Sequence, residues 1–146
     1  MAERTEGSIE IEATPAEVMG VITDYDSYPE WAQGVKKAEI RKRDEEGRPI
    51  EVFMDAGGMG IVAQYTLTYT YSLNDGGLSW TSTEASGAVK SIEGEYVLEA
   101  TGGGTAVTYR TSMELAIPVI GLIKRQAQKM IINTALGGLK KRVESR

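Results

Sequence analysis

The sequence predicts an α+β fold: a curved, seven-stranded antiparallel sheet wrapped around one long C-terminal helix, with two short helices between strands 1 and 2. Three observations carry that prediction. Six segments between residues 35 and 115 alternate apolar and polar side chains with period two, and glycine-bearing turns rather than helical stretches separate them. A further alternating stretch stands near the start of the chain. After Pro118 comes the only long run whose apolar residues recur at three- and four-residue steps.

The elements follow in order. In "SIEIEA", residues 8–13, Ile9, Ile11 and Ala13 share one face and Glu10 and Glu12 the other, the pattern of a half-buried strand. "TPAEVMGVITDYD" then supplies Thr14 as an N-cap, Pro15 at the first helical position and Glu17 as the acid of a capping box, so a short helix is expected from about Pro15 to Thr23. In "SYPEW" the fixed φ of Pro29 suits the start of a second short helix near Ser27. Asp24 is expected to close the first helix, and Asp26 or Ser27 to cap the second.

The six strands are "VKKAEIRKR", "PIEVFMDA", "IVAQYTLTYTYSL", "LSWTSTE", "SIEGEYVLEA" and "TAVTYRTSMEL", with "DEEGR", "GGMG", "NDGG" and "TGGG" among the turns. Their phase places Ile61, Ala63, Tyr65, Leu67, Tyr69 and Tyr71 on one face of the longest strand. Val52, Met54, Trp80, Ile92, Tyr96 and Leu98 join that face, as do Val107, Tyr109, Met113 and Leu115. It is an apolar surface studded with tyrosine hydroxyls. At about 1.5 Å per residue the C-terminal helical run is about 40 Å long, enough to cross the sheet. Ile123, Ala127, Met130, Ile131, Thr134, Ala135, Gly138 and Leu139 form its apolar stripe. Gly121, Gly137 and Gly138 weaken a helix, and close backbone packing accounts for them, with room for a ligand as the alternative.

With 146 residues, 41% of them hydrophobic, one domain spanning residues 1–146 with one core is expected. The chain has no cysteine and no histidine, which removes thiol nucleophiles, disulfides, thiolate and imidazole metal ligands and the usual neutral-pH general base. No metal and no cofactor is expected. The opening residues lack the apolar core of a signal peptide, and no apolar run approaches the roughly 18 residues that span a bilayer, so a cytoplasmic protein is expected. Residues 119–146 hold seven basic residues against one acid, net +6, which leaves −11 on the rest to give −5 overall. That basic segment has no aromatics for stacking, which argues against nucleic acid as a partner.

Without histidine, the groups able to move protons are Asp24, Asp26, Glu30, Asp55 and Glu84, together with the tyrosines; Arg110, in the outward phase of its strand, is the available cation. No acid–base pair stands out among them. "GGMG" lacks the lysine and following helix of a phosphate loop and reads as a hairpin turn with Met59 at its tip. Tyr65, Tyr69, Tyr96 and Tyr109 share the inner face with Trp80; they are core residues, or their phenols meet water or an oxygenated ligand, since each buried hydroxyl needs a partner. Lys140, Lys141 and Arg142 complement the negative end of the helix dipole. Lys124 and Arg125 lie in the first turns, where cations are disfavoured. With Ile120 and Leu122 they either form a solvated face or make transient contact with an anionic membrane.

Three stretches, "IEIEATPAEVMGVITDYDSYPEW", "SGAVKSIEGEYVLEATGGGTAVTYR" and "GLKKRVE", together with the element order, resemble the START-like (SRPBCC) superfamily and its helix-grip fold, most closely the bacterial polyketide cyclase/dehydrase-type branch. The resemblance covers essentially the whole chain. It implies a deep cavity between sheet and helix, lined by Tyr65, Leu67, Tyr69, Trp80, Ile92, Tyr96, Tyr109, Met113, Ile123, Ala127, Met130 and Thr134, with Tyr28, Trp31 and Met59 at its rim. It implies binding of a small hydrophobic, oxygen-bearing molecule such as a lipid, isoprenoid or polyketide, without chemistry. A polyketide cyclase or aromatase is the alternative, and a regulatory or toxin–antitoxin-type protein a third.

Overall fold

The computed structural model describes residues 3–58, 61–118 and 121–145. Strand β1 (Glu3–Ile11) leads into helix α1 (Pro15–Ile22), a 3-10 turn over Tyr25–Ser27 and the one-turn helix α2 (Tyr28–Trp31). Strands β2 (Val35–Arg43), β3 (Pro49–Gly58), β4 (Ile61–Tyr71), β5 (Gly77–Gly87), β6 (Val89–Ala100) and β7 (Thr105–Leu115) follow as a meander. Every neighbouring pair is antiparallel, and the order β1-β7-β6-β5-β4-β3-β2 brings the first strand beside the last. With the C-terminal helix packed across it, this is the helix-grip fold that the sequence implies.

The start of α1 forms as its residues dictate. Thr14 Oγ1 accepts the Glu17 N–H at 3.2 Å, and Glu17 Oε1 accepts the Thr14 N–H at 3.0 Å, a reciprocal capping box. Val18, Met19, Val21 and Ile22 are buried. The other end departs from expectation. Thr23, not Asp24, closes the helix, its hydroxyl donating to the Met19 carbonyl at 2.7 Å. Neither Asp24 before the 3-10 turn nor Ser27 before α2 makes a side-chain cap. The Met19 carbonyl accepts both the Thr23 N–H, at 2.9 Å, and the Thr23 hydroxyl, whereas an ionised carboxylate at Asp24 has no proton to donate to a carbonyl at this end of the helix.

β1 begins five residues earlier than the alternation "SIEIEA" marks, because "ERTEGS" pairs with β7 through its backbone while carrying little apolar signal. Gly7, within that extension, is where the C-terminal helix comes close: a Cβ there would lie 3.0 Å from Leu136 Cδ1 and 3.3 Å from Ile132 Cγ2. Two irregularities shift the phase of the sheet. Thr66 pairs with Glu84 and Leu67 with Ser82, and farther on Val89 pairs with Leu115 and Ser91 with Glu114. The extra residue in the second case lets Val89 and Ile92, three apart, both turn inward.

The C-terminal run is not one continuous α-helix. Helix α3 (Gly121–Ile132) passes into a six-residue π-helical segment, Asn133–Gly138, and then into α4 (Leu139–Glu144). Ala135, Leu136, Leu139 and Val143 are buried against the sheet and α1. Polar ties fix α4: Lys140 Nζ donates to the Glu10 carbonyl at 2.8 Å and meets Glu144 at 2.7 Å, while Glu144 accepts the Glu12 N–H at 2.9 Å. Arg142 pairs with Glu30 of α2 at 3.0 Å. Of the helical glycines, a Cβ added at Gly138 would meet Trp31 at 3.6 Å and one at Gly121 would meet Arg125 at 3.6 Å, both ordinary contacts, and nothing lies within 4 Å of one at Gly137. Close backbone packing therefore accounts for none of the three.

Candidate ligand cavity

The concave face of the sheet and the helix above it enclose a cavity of about 290 Å³. Alternation along the strands decides what faces it. Tyr65, Leu67 and Tyr69 of β4, Trp80 of β5, Ile92 and Tyr96 of β6, and Tyr109 and Met113 of β7 all line it. From the helix come Ala127, Met130 and Thr134. Ile123 does not line it; the residue sits half-buried in the first turn of α3, and the longer side chain of Lys124 beside it reaches the cavity instead. Tyr28 and Trp31 of α2 contribute to the wall, and Met59 lies outside the described residues.

Several lining residues escaped the sequence reading. Val89 does so because the irregularity at residue 90 inverts its phase. Thr5 belongs to the polar extension of β1, and Gln33 to the connection between α2 and β2. Lys124, expected on a solvated or membrane-facing side of the helix, and Gln128, which the apolar stripe left out, both line the cavity. Of the group expected to meet a membrane, Lys124 is half-exposed and also lines the cavity, Leu122 and Arg125 are exposed, and Ile120 lies outside the described residues.

The floor is an aromatic lattice. Ring centroids are separated by 5.1 Å for Tyr28 and Trp31, 5.3 Å for Tyr25 and Tyr28, 4.8 Å for Tyr25 and Tyr69, 6.2 Å for Tyr69 and Trp80, and 5.7 Å for Trp80 and both Tyr96 and Tyr109. Tilted pairs at these distances suit the ring quadrupoles. Tyr25, fully buried, joins the short helices to the sheet, a role nothing in the sequence pattern singled out. Gly94 makes room for the lattice: a Cβ there would come within 2.6 Å of the Trp80 ring.

Burial makes ionisation of these phenols more costly, and the hydroxyls differ in what they meet. Tyr96 donates to the Ala135 carbonyl at 2.8 Å, Tyr28 to the Ile22 carbonyl at 2.5 Å, and Tyr71 to the Pro49 carbonyl, while the Tyr25 and Tyr71 hydroxyls lie 3.4 Å apart. Tyr65 and Tyr69 have no hydrogen-bond partner among the described residues. Nor does the buried Trp31 Nε1. Desolvation pushes the Tyr65 hydroxyl up to about 12 and those of Tyr25, Tyr28, Tyr69, Tyr96 and Tyr109 well above the ordinary phenol value. An apolar chamber with a few unmatched donors is suited to a molecule that brings its own acceptor oxygens.

None of the acids weighed for catalysis lines this chamber: Asp24, Asp26, Glu30, Asp55 and Glu84 all lie elsewhere. Arg110 is on the outer face, held between Glu6 and Glu95 at 3.1 Å each, as its strand phase requires. Among the described residues no group of three or more acids is placed to hold a metal ion. No helix among them is long and apolar enough to cross a membrane.

Known proteins share this architecture. A START superfamily protein from Mycobacterium smegmatis superposes with a TM-score of 0.85 at 18% identity, covering 97% of each chain. A protein from Thermus thermophilus gives 0.79 at 23% identity over 98% of each chain. The Zhui aromatase/cyclase from a Streptomyces species gives 0.75 at 14% identity, over all of this chain and 96% of the other. At such identities the likeness concerns the fold alone. No curated protein matches the sequence significantly. The family model described as polyketide cyclase / dehydrase and lipid transport matches residues 2–144, nearly the whole chain, and the protein therefore belongs to that START-like family.

Proposed function

We propose that the protein is a single-domain carrier or sensor that binds a small hydrophobic, oxygen-bearing molecule between sheet and helix and performs no chemistry on it. One observation carries the reading: the cavity is lined mainly by apolar and aromatic side chains, yet Tyr65, Tyr69 and Trp31 Nε1 have no hydrogen-bond partner among the described residues. A bound carbonyl, hydroxyl or ether oxygen supplies the acceptor these donors lack. Against a cyclase weighs a lining that, among the described residues, holds no carboxylate and no histidine, together with phenols whose protons are held more tightly than usual. Leu122, exposed at 58%, and the exposed Arg125 beside the first turn of α3 add a surface for transient contact with anionic lipid during ligand exchange.

Both tryptophans line the cavity, so intrinsic fluorescence reports its occupancy directly. The test is native mass spectrometry of protein purified from its own source, followed by fluorescence titration with fatty acids, isoprenoids and aromatic polyketides. A retained small molecule, or a saturable emission change accompanied by a raised melting temperature, supports the carrier. An empty protein that no member of the panel stabilises overturns it.

A further inference from the structure

The tyrosines that line the cavity divide into two groups. Tyr28 donates to the Ile22 carbonyl, Tyr96 donates to the Ala135 carbonyl, and Tyr109 lies against the Thr111 hydroxyl. Tyr65 and Tyr69 have no partner among the described residues, and their hydroxyls open on the chamber, whereas the equally unpartnered Trp31 Nε1 is sealed from solvent. The two open phenols stand on one face of β4, whose register with β3 runs unbroken from Thr68 to Ile61. Four residues of strand set their Cα atoms about 13 Å apart. We infer that the ligand carries two acceptor oxygens separated by an apolar stretch, one accepting from Tyr69 and the other from Tyr65, with the stretch between them lying on Leu67. This rests on the carrier reading above and names the class of molecule carried.

Two physical arguments support it. Side chains on one face of a strand stand roughly perpendicular to the sheet, so Tyr65 and Tyr69 address different parts of the chamber. Tyr69 packs on the fully buried Tyr25 with ring centroids 4.8 Å apart and pairs in register with Trp80, whereas Tyr65 is half-buried and lies toward the β3–β4 hairpin, beside Met54 and Ala85. Leu67, buried and apolar, stands between them on the same wall. The second argument is the cost of a mismatch. A molecule with one oxygen that fills the chamber satisfies one phenol and expels water from the other, which is left as a buried donor without an acceptor. A site with two such donors therefore selects against molecules that lack the second oxygen.

The experiment compares dimethyl sebacate, which has a methyl ester at each end, with methyl decanoate, which has the same chain length and one ester. Both are titrated below their aggregation limits by tryptophan fluorescence and calorimetry. The proteins are the wild type, Tyr65→Phe, Tyr69→Phe and the double variant, with circular dichroism confirming that all four fold. Each single substitution is expected to weaken dimethyl sebacate about threefold and the pair about tenfold, while methyl decanoate loses affinity on one substitution and not on the other. A diester that responds to one tyrosine or to neither, or a monoester weakened alike by both substitutions, overturns the two-oxygen ligand and leaves the carrier standing. Failure of both esters to bind the wild type overturns the inference and counts against the carrier reading as well.

Discussion

The hydroxyl of Tyr96, in the middle of β6, donates to the main-chain carbonyl of Ala135 across 2.8 Å, so the sheet holds the C-terminal helix within its π-helical segment. The bond is buried and is made to backbone. Tyr96 therefore belongs to the scaffold of the cavity, although its ring forms part of the wall. Tyr69, two strands away on β4 and lacking such a partner among the described residues, is left to serve the contents.

The two phenols are separable by mutation. Tyr96→Phe is expected to lower stability by about 1–2 kcal/mol, because a buried carbonyl loses its donor, with little change in ligand affinity. Tyr65→Phe combined with Tyr69→Phe is expected to leave the urea midpoint nearly unchanged and weaken binding of an oxygenated ligand by about tenfold. Urea unfolding and fluorescence titration of both variants measure the two effects side by side.

Gly94 faces Trp80 so closely that even a methyl group collides with the indole and with the Arg110 carbonyl, the latter at 2.5 Å. Gly94→Ala is expected to destabilise by about 1–3 kcal/mol, as overpacking of a tight core does, and to red-shift Trp80 emission as the ring is displaced. An unchanged melting temperature contradicts this account of the floor.

The ends of α1 differ in what holds them. Thr14→Ala removes one half of the capping box and is expected to cost about 1 kcal/mol, whereas Asp24→Asn, which touches no cap, stays within about 0.5 kcal/mol of wild type. Thermal melts of the two variants suffice to show the contrast.

Alkaline unfolding follows from the buried phenols. Their folded pKa values lie above the free value, with Tyr65 at about 12, so the folded state keeps protons that the unfolded chain releases. Their contribution is complete below about pH 10 and is lost as pH rises toward and through the folded values. Phenolate absorbance is expected to appear in one step with loss of far-ultraviolet circular dichroism. Gradual ionisation of all seven tyrosines ahead of unfolding contradicts this burial.

Much of the molecule was legible in the chain because strands with one buried face must alternate. Tyr65, Leu67 and Tyr69 could be placed on the inner face from their spacing alone, as could Ile92 and Tyr96. The capping box at Thr14 and Glu17 is equally local, since both partners lie within one helical turn. What failed did so where other residues compete. A single extra residue in β6 turns Val89 inward, and a hydroxyl one position earlier takes the capping role expected of Asp24.

By itself the sequence determined the succession of the seven strands along the chain, their phase away from the irregularities in β5 and β6, the start of α1, the helical C-terminus and the exclusion of cysteine and histidine chemistry, all of which depend on neighbours along the chain. Only the tertiary structure decided which tyrosines are spent on the protein, how the helix is interrupted at Asn133–Gly138, and that Lys124 faces the cavity while Ile123 does not. The physical reason is the same in each case. Hydrogen-bond partners and accessible space are supplied by residues far away in sequence, and an amphipathic pattern specifies a face without specifying what that face will meet.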